Sequence, residues 1–95
     1  MGRPRGLQLY DLIERRRQEL PEDSHTAKLF RKGPAAIAKK VGEEGVEVAV
    51  ALLAQSRERV VEESADLLYH LLALWSQAGV TPTEVVTELK RRHLG

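Results

Sequence analysis

Between residues 34 and 55, apolar or small positions recur at Ile37, Val41, Gly45, Val48 and Leu52. Steps of three and four residues make one continuous stripe on a helix. Residues 46–50 (Val-Glu-Val-Ala-Val) alternate and would also suit a strand. A strand, however, would send Glu43 and Glu47 to one face and Glu44 to the other, whereas a helix gathers all three into one wedge. The pattern therefore predicts a helix from about Pro34 to Gln55. Gly33 breaks the chain before it, and proline suits a first helical position.

The same logic divides the rest of the chain. Leu9, Leu12 and Ile13 give a first helix, from Leu7 to Glu19, that ends before Pro21. Ser24 is placed to cap a short helical turn carrying Leu29 and Phe30. Gln55-Ser56 is a short break. A leucine-rich helix then runs from Arg57 to Ala78, and Gly79 is its C-terminal stop. Thr81-Pro82-Thr83-Glu84 has the form of a capping box with proline at the first position, so a last helix starts there and closes on Lys90, Arg91, Arg92 and His93. No repeat, linker or low-complexity stretch interrupts this order. The expectation is one all-α domain over residues 1–95, a bundle of four to five helices. Two long helices joined by about two residues must pack antiparallel. Both are apolar around most of their circumference, and so short a chain cannot cover them alone; a homodimer completing the bundle is expected.

Composition narrows the chemistry. The 95 residues include no cysteine, which excludes disulfides, thiolate metal sites and a cysteine nucleophile. The uncharged stretch from Leu71 to Thr83 is broken by Gly79 and Pro82 and is too short to span a bilayer. The N-terminal segment has no apolar run of the secretory kind. A cytoplasmic protein with no membrane partner is the expectation. The net charge of +1 hides a segregation: residues 1–42 carry ten Lys/Arg against five acids, and residues 43–66 carry seven acids against Arg57 and Arg59. An acidic centre beside a basic flank suits a metal cation with a small polyanionic ligand better than it suits nucleic acid.

Those acids are spaced for chemistry. At about 100° per residue, Glu44 and Glu47 lie about 60° apart on one helix, and Glu63 and Asp66 lie about 60° apart on the next. Antiparallel packing can bring the two pairs face to face. Four carboxylates so placed repel and raise one another's pKa, and a hard divalent cation relieves the repulsion. Mg²⁺, or Mn²⁺, is the expected cofactor, held by Glu44, Glu47, Glu63 and Asp66, and such an ion commonly keeps positions open for phosphate oxygens. Glutamates on a helix are ordinarily a solvated face. Here, though, the positions four residues after Glu44, Glu47 and Glu63 are Val48, Ala51 and Leu67, so the usual ion-pair partners are missing. A di-iron bundle would need Glu-x-x-His motifs, and none is present. His70 projects between Glu63 and Asp66, and Arg59 points the same way. On the basic flank, Lys40 can reach a metal-bound phosphate or pair with Glu44. Ser24, Thr26, Lys28 and Lys32 offer hydroxyls and ammonium groups for phosphate, although capping is an equally ordinary use of the hydroxyls.

Lys40-Val41-Gly42-Glu43-Glu44-Gly45-Val46-Glu47, followed by Glu63-Ser64-Ala65-Asp66, resembles the Glu-Glu-x-x-Glu … Glu-x-x-Asp pattern of the all-α nucleotide pyrophosphohydrolases, the MazG-like superfamily. Residues 23–33 and the segment Asp66-Leu67-Leu68-Tyr69-His70 narrow the resemblance to the phosphoribosyl-ATP pyrophosphohydrolase family of histidine biosynthesis, over nearly the whole chain. The resemblance implies hydrolysis of the α–β phosphoanhydride of phosphoribosyl-ATP to phosphoribosyl-AMP and pyrophosphate. It also implies Mg²⁺ on Glu44, Glu47, Glu63 and Asp66, and a dimer. Glu43 is then a candidate either for the base or for a place behind the metal ligands, Glu47 is the other candidate base, and Ser24, Thr26, Lys28, Lys32, Lys40 and His70 are the candidates for facing substrate. Some members are fused to a cyclohydrolase whose Cys/His ligands this chain lacks, so only the pyrophosphohydrolase step is expected. Two other readings use the same residues: a house-cleaning pyrophosphohydrolase of dUTP, dCTP or damaged nucleotides, and a non-catalytic helical dimer.

Overall fold

The computed structural model describes residues 5–95, with side chains from residue 8 onward; the first four residues of the expected domain lie outside the described residues. It contains five helices and, among the described residues, no strand: α1 (Arg5–Glu19), α2 (His25–Arg31), α3 (Pro34–Leu53), α4 (Arg57–Ala78) and α5 (Pro82–His93). The all-α bundle expected from the periodicity is the observed architecture.

Each boundary has a local cause. Leu20 takes a left-handed φ of 49° and Pro21 follows, so α1 cannot continue. The Ser24 hydroxyl accepts from the Ala27 N–H at 3.1 Å and starts α2. Pro34 opens α3. The Ser56 hydroxyl accepts from the Arg59 N–H and starts α4, which Gly79 ends at φ 73°. There the Gly79 and Val80 N–H groups turn back onto the carbonyls of Ser76 and Trp75, a Schellman closure that a left-handed residue permits. Thr81 and Glu84 form the reciprocal capping box of α5.

The helices α3 and α4 form the main packed pair, with α1 laid on α4 and α2 wedged between α1 and α3. The core gathers Tyr10 and Ile13 from α1, Leu29 and Phe30 from α2, Ile37 from α3, and Leu72 and Ala73 from α4. Two expected inward faces are rotated. On α1 the buried pair is Tyr10 and Ile13, while Leu9 and Leu12 are more than a third exposed. The Tyr10 hydroxyl fixes that rotation by donating to the Val80 carbonyl at 2.9 Å. On α3 the buried line is Ile37, Glu44 and Ala51, and Leu52, about 100° around the helix from the fully buried Ala51, is 66% exposed.

A polar knot ties α1 to α4. Ser76, 1% exposed, donates to Glu14 and accepts from Arg17 Nε at 2.9 Å, and Arg17 also pairs with Glu14 at 2.9 Å. These bonds hold the Glu14 carboxyl below the usual glutamate range, with Arg17 the larger influence and Ser76 next.

Candidate active site

The position of Glu44 follows from helix geometry. Residues 37, 44 and 51 differ by seven, two helical turns, so Glu44 stands in line with Ile37 and Ala51 where a core side chain would stand. It is 8% exposed. Burial raises its pKa; Asp66 and Glu47 push the same way, and His70 and Lys40 oppose.

Across from it, α4 supplies Glu63 and Asp66, one turn apart. Carboxylate oxygens of Glu44, Glu63 and Asp66 all lie within 4.8 Å of one another. Glu47 completes the group from the rim: it is exposed, and its carboxyl beside Glu63 is the leading cause of a raised Glu63 pKa, ahead of burial and of the charges on Asp66 and Glu44. Glu63 Oε2 is buried and no donor reaches it. An acceptor enclosed among other acceptors is costly in a folded protein. The donor set, all hard oxygens with one orphaned, fits a divalent cation of the Mg²⁺ or Mn²⁺ kind.

The expected site residues are distributed as follows. The four acids assigned to metal converge. Glu43 points to the exposed side of α3 and makes no contact with the cluster among the described residues. Lys40 is exposed and acts on Glu44 through space without a direct ion pair. The Ser24 hydroxyl serves as the α2 cap but keeps its own hydrogen. The Thr26 hydroxyl is hydrogen-bonded to that of Tyr69. Lys28 and Lys32 are exposed on α2. His70 turns towards the acids: its Nδ1 is 2.9 Å from the Asp66 carbonyl oxygen and 3.4 Å from Glu44 Oε1.

Tyr69 is the residue that sequence reasoning left out of the site. It follows the acid wedge by only a few positions but faces the core, and it joins α2 to the cluster. Its ring stacks on His25 with centroids 6.4 Å apart and meets His70 edge-on at 5.1 Å. Its neighbour His70 shares the projection of the acids on α4, whereas Tyr69 lies about 100° around the helix, outside that wedge.

Comparison with known proteins identifies the family. The family model described as phosphoribosyl-ATP pyrophosphohydrolase matches residues 7–93. A phosphoribosyl-ATP pyrophosphatase of Metallosphaera sedula is 53% identical over 85 residues, covering 90% of this chain and 91% of the relative. One from Paramagnetospirillum magneticum is 51% identical over 85 residues, covering 90% and 78%. A histidine biosynthesis bifunctional protein of Thermotoga maritima is 50% identical over 86 residues; the match takes in 90% of this chain but only 44% of that longer protein. The chain belongs to the phosphoribosyl-ATP pyrophosphohydrolase family.

Proposed function

We propose that this chain hydrolyses the α–β phosphoanhydride of phosphoribosyl-ATP, releasing pyrophosphate and leaving phosphoribosyl-AMP, at the carboxylate cluster between α3 and α4. The carrying observation is the meeting of Glu44, Glu63 and Asp66 around a buried, unpartnered oxygen in a chain of this family. Glu44, Glu63, Asp66 and Glu47 would hold Mg²⁺ or Mn²⁺. A cation bound there neutralises phosphate charge and acidifies a bound water.

The protein's own groups do the rest. Glu47, exposed at the rim and beside Glu63, would accept the proton of the attacking water. Glu43, one residue before Glu44 on the open side, is the second candidate for that task. Lys40 at the cluster, with Lys28 and Lys32 on α2, supplies positive charge for the departing pyrophosphate and for the substrate's other phosphates. The Ser24 and Thr26 hydroxyls at the start of α2 would be further partners for phosphate oxygens. The working unit is a homodimer.

The test is pyrophosphate release with Mg²⁺ from phosphoribosyl-ATP, ATP, dUTP and dCTP in parallel. Strong preference for phosphoribosyl-ATP supports the proposal. Preference for dUTP or dCTP moves the enzyme to house-cleaning chemistry, and release from none removes catalysis altogether.

A further inference from the structure

The imidazole of His70 is only 12% exposed, and the surroundings of its Nδ1 are defined. The Asp66 carbonyl oxygen, 2.9 Å from Nδ1, can only accept, so Nδ1 carries the hydrogen. The Nδ1 atom, its hydrogen given to that carbonyl, also lies 3.4 Å from Glu44 Oε1, a polar contact and not a second hydrogen bond. The ring plane is set by the edge of Tyr69, at 88° and 5.1 Å. Tyr69 is in turn anchored through its hydroxyl to Thr26 on α2. The chain of contact runs from Thr26 through Tyr69 and His70 to Glu44.

Glu44 needs such a neighbour. Its side chain has several rotatable bonds, and it stands among carboxylates that repel it. Left alone, its carboxylate would swing towards water. A fixed imidazole on the helix opposite keeps its Nδ1 edge 3.4 Å from Oε1, a close polar contact that favours one position for that oxygen and leaves the other for a cation. Two residues that differ by one position make this possible: on α4 they point about 100° apart, Tyr69 towards α2 and the core, His70 towards Glu44 on α3.

We infer that His70 is a positioning residue for the metal-binding carboxylates: it orients Glu44 by the close approach of its Nδ1 edge and is itself held by the hydrogen bond to the Asp66 carbonyl and by Tyr69. This assigns His70 to the carboxylate and not to the substrate. It rests on the metal-site reading of the cluster given above.

The test uses Mn²⁺ alone, titrated into the full chain and followed by electron paramagnetic resonance, with no substrate present. For His70→Ala the Mn²⁺ dissociation constant should rise about 10- to 100-fold, the range seen when a partner behind a metal ligand is removed. His70→Asn, whose side-chain amide can place an N–H near the Nδ1 position, should recover most of that loss. Far-UV circular dichroism and the Tm of the metal-free variants report on folding separately. Unchanged Mn²⁺ affinity in a folded His70→Ala overturns the inference, and a raised KM for phosphoribosyl-ATP in that same variant would assign His70 to substrate. Equal loss in Asn and Ala variants also overturns it, since the polar contact would then not be what matters. Should the unaltered chain bind no Mn²⁺, the metal site itself falls, a result distinct from the others.

Discussion

Glu44 occupies the middle of a buried line whose other members are Ile37 and Ala51. A hydrophobic residue there would stabilise the bundle, so the carboxylate opposes folding until something neutralises it. Glu63, with a buried and unpartnered oxygen beside Glu47, opposes it in the same way. Two consequences follow for Glu63→Gln. Metal-dependent pyrophosphate release should fall by about two orders of magnitude or more, as for loss of a ligand to a catalytic ion. The metal-free variant, by contrast, should melt at a higher temperature than the unaltered chain, because an acceptor-only group among acceptors becomes one that can donate. A lower Tm would mean that Glu63 has an unrecognised stabilising partner. Glu14 behaves oppositely. Its folded pKa lies below the ordinary value, so the knot with Arg17 and Ser76 stabilises the fold above the ordinary glutamate pKa and ceases to do so as pH falls through the folded value. Ser76→Ala should therefore cost about 1 kcal/mol at neutral pH and less in acid, read from urea unfolding at the two pH values. An equal cost at both would separate Ser76 from the Glu14 charge.

At the level of the helices, the two ends of the α3–α4 hairpin are closed by the same motif with different residues. After α4 the left-handed position is Gly79; after α3 it is Gln55, at φ 57°. The Gln55 and Ser56 N–H groups return to the carbonyls of Leu52 and Ala51, as Gly79 and Val80 return to Ser76 and Trp75. A side chain at a left-handed φ costs about 1 kcal/mol that glycine avoids, partly offset by the extra freedom glycine gains in the unfolded chain. Gln55→Gly should thus raise stability by a few tenths to about 1 kcal/mol in thermal unfolding; a fall would show that the Gln55 side chain itself matters. This pair also shows what sequence could and could not convey. The stop at Gly79 and the box at Thr81–Glu84 use residue types suited to little else, so both were legible. The break at Gln55 was legible only as a break, because glutamine carries no signal for a left-handed turn. The acids of α3 and α4 were readable because helical angle alone pairs them. The inward turn of Tyr10 was not, since it depends on a bond to Val80, 70 residues away. Nor was the link from Thr26 to Tyr69, 43 residues apart.

On the scale of the whole molecule, the chain is open and apolar outside, as the proposed homodimer would require. Its Cα radius of gyration is 14.6 Å, against about 12.4 Å for a compact chain of this length. On the side of α3 away from α4, Val46, Val50 and Leu53 are 64%, 49% and 81% exposed. On α4, Val61, Leu68 and Trp75 recur every seven residues, the spacing of a helix–helix seam, with Val61 and Leu68 more than half exposed. Leu68 and Trp75 continue into an apolar groove of about 510 Å³ with Val85, Val86 and Leu89 of α5, a helix that buries no residue of its own. A second copy of the chain would supply matching seams, and exposed patches of this extent mark association surfaces. Leu68 lies about 160° around α4 from Asp66, so the seam and the carboxylates occupy different sides of the helix. Leu68→Glu should therefore separate assembly from metal binding. Sedimentation should find the unaltered chain as a dimer and the variant as a monomer with its Mn²⁺ site retained. The Tm of the unaltered chain should rise with protein concentration while that of the variant does not, because only the former is stabilised by mass action. An unaltered chain that sediments as a monomer at every concentration, or a Leu68→Glu chain that still sediments as a dimer, would exclude this face as the interface.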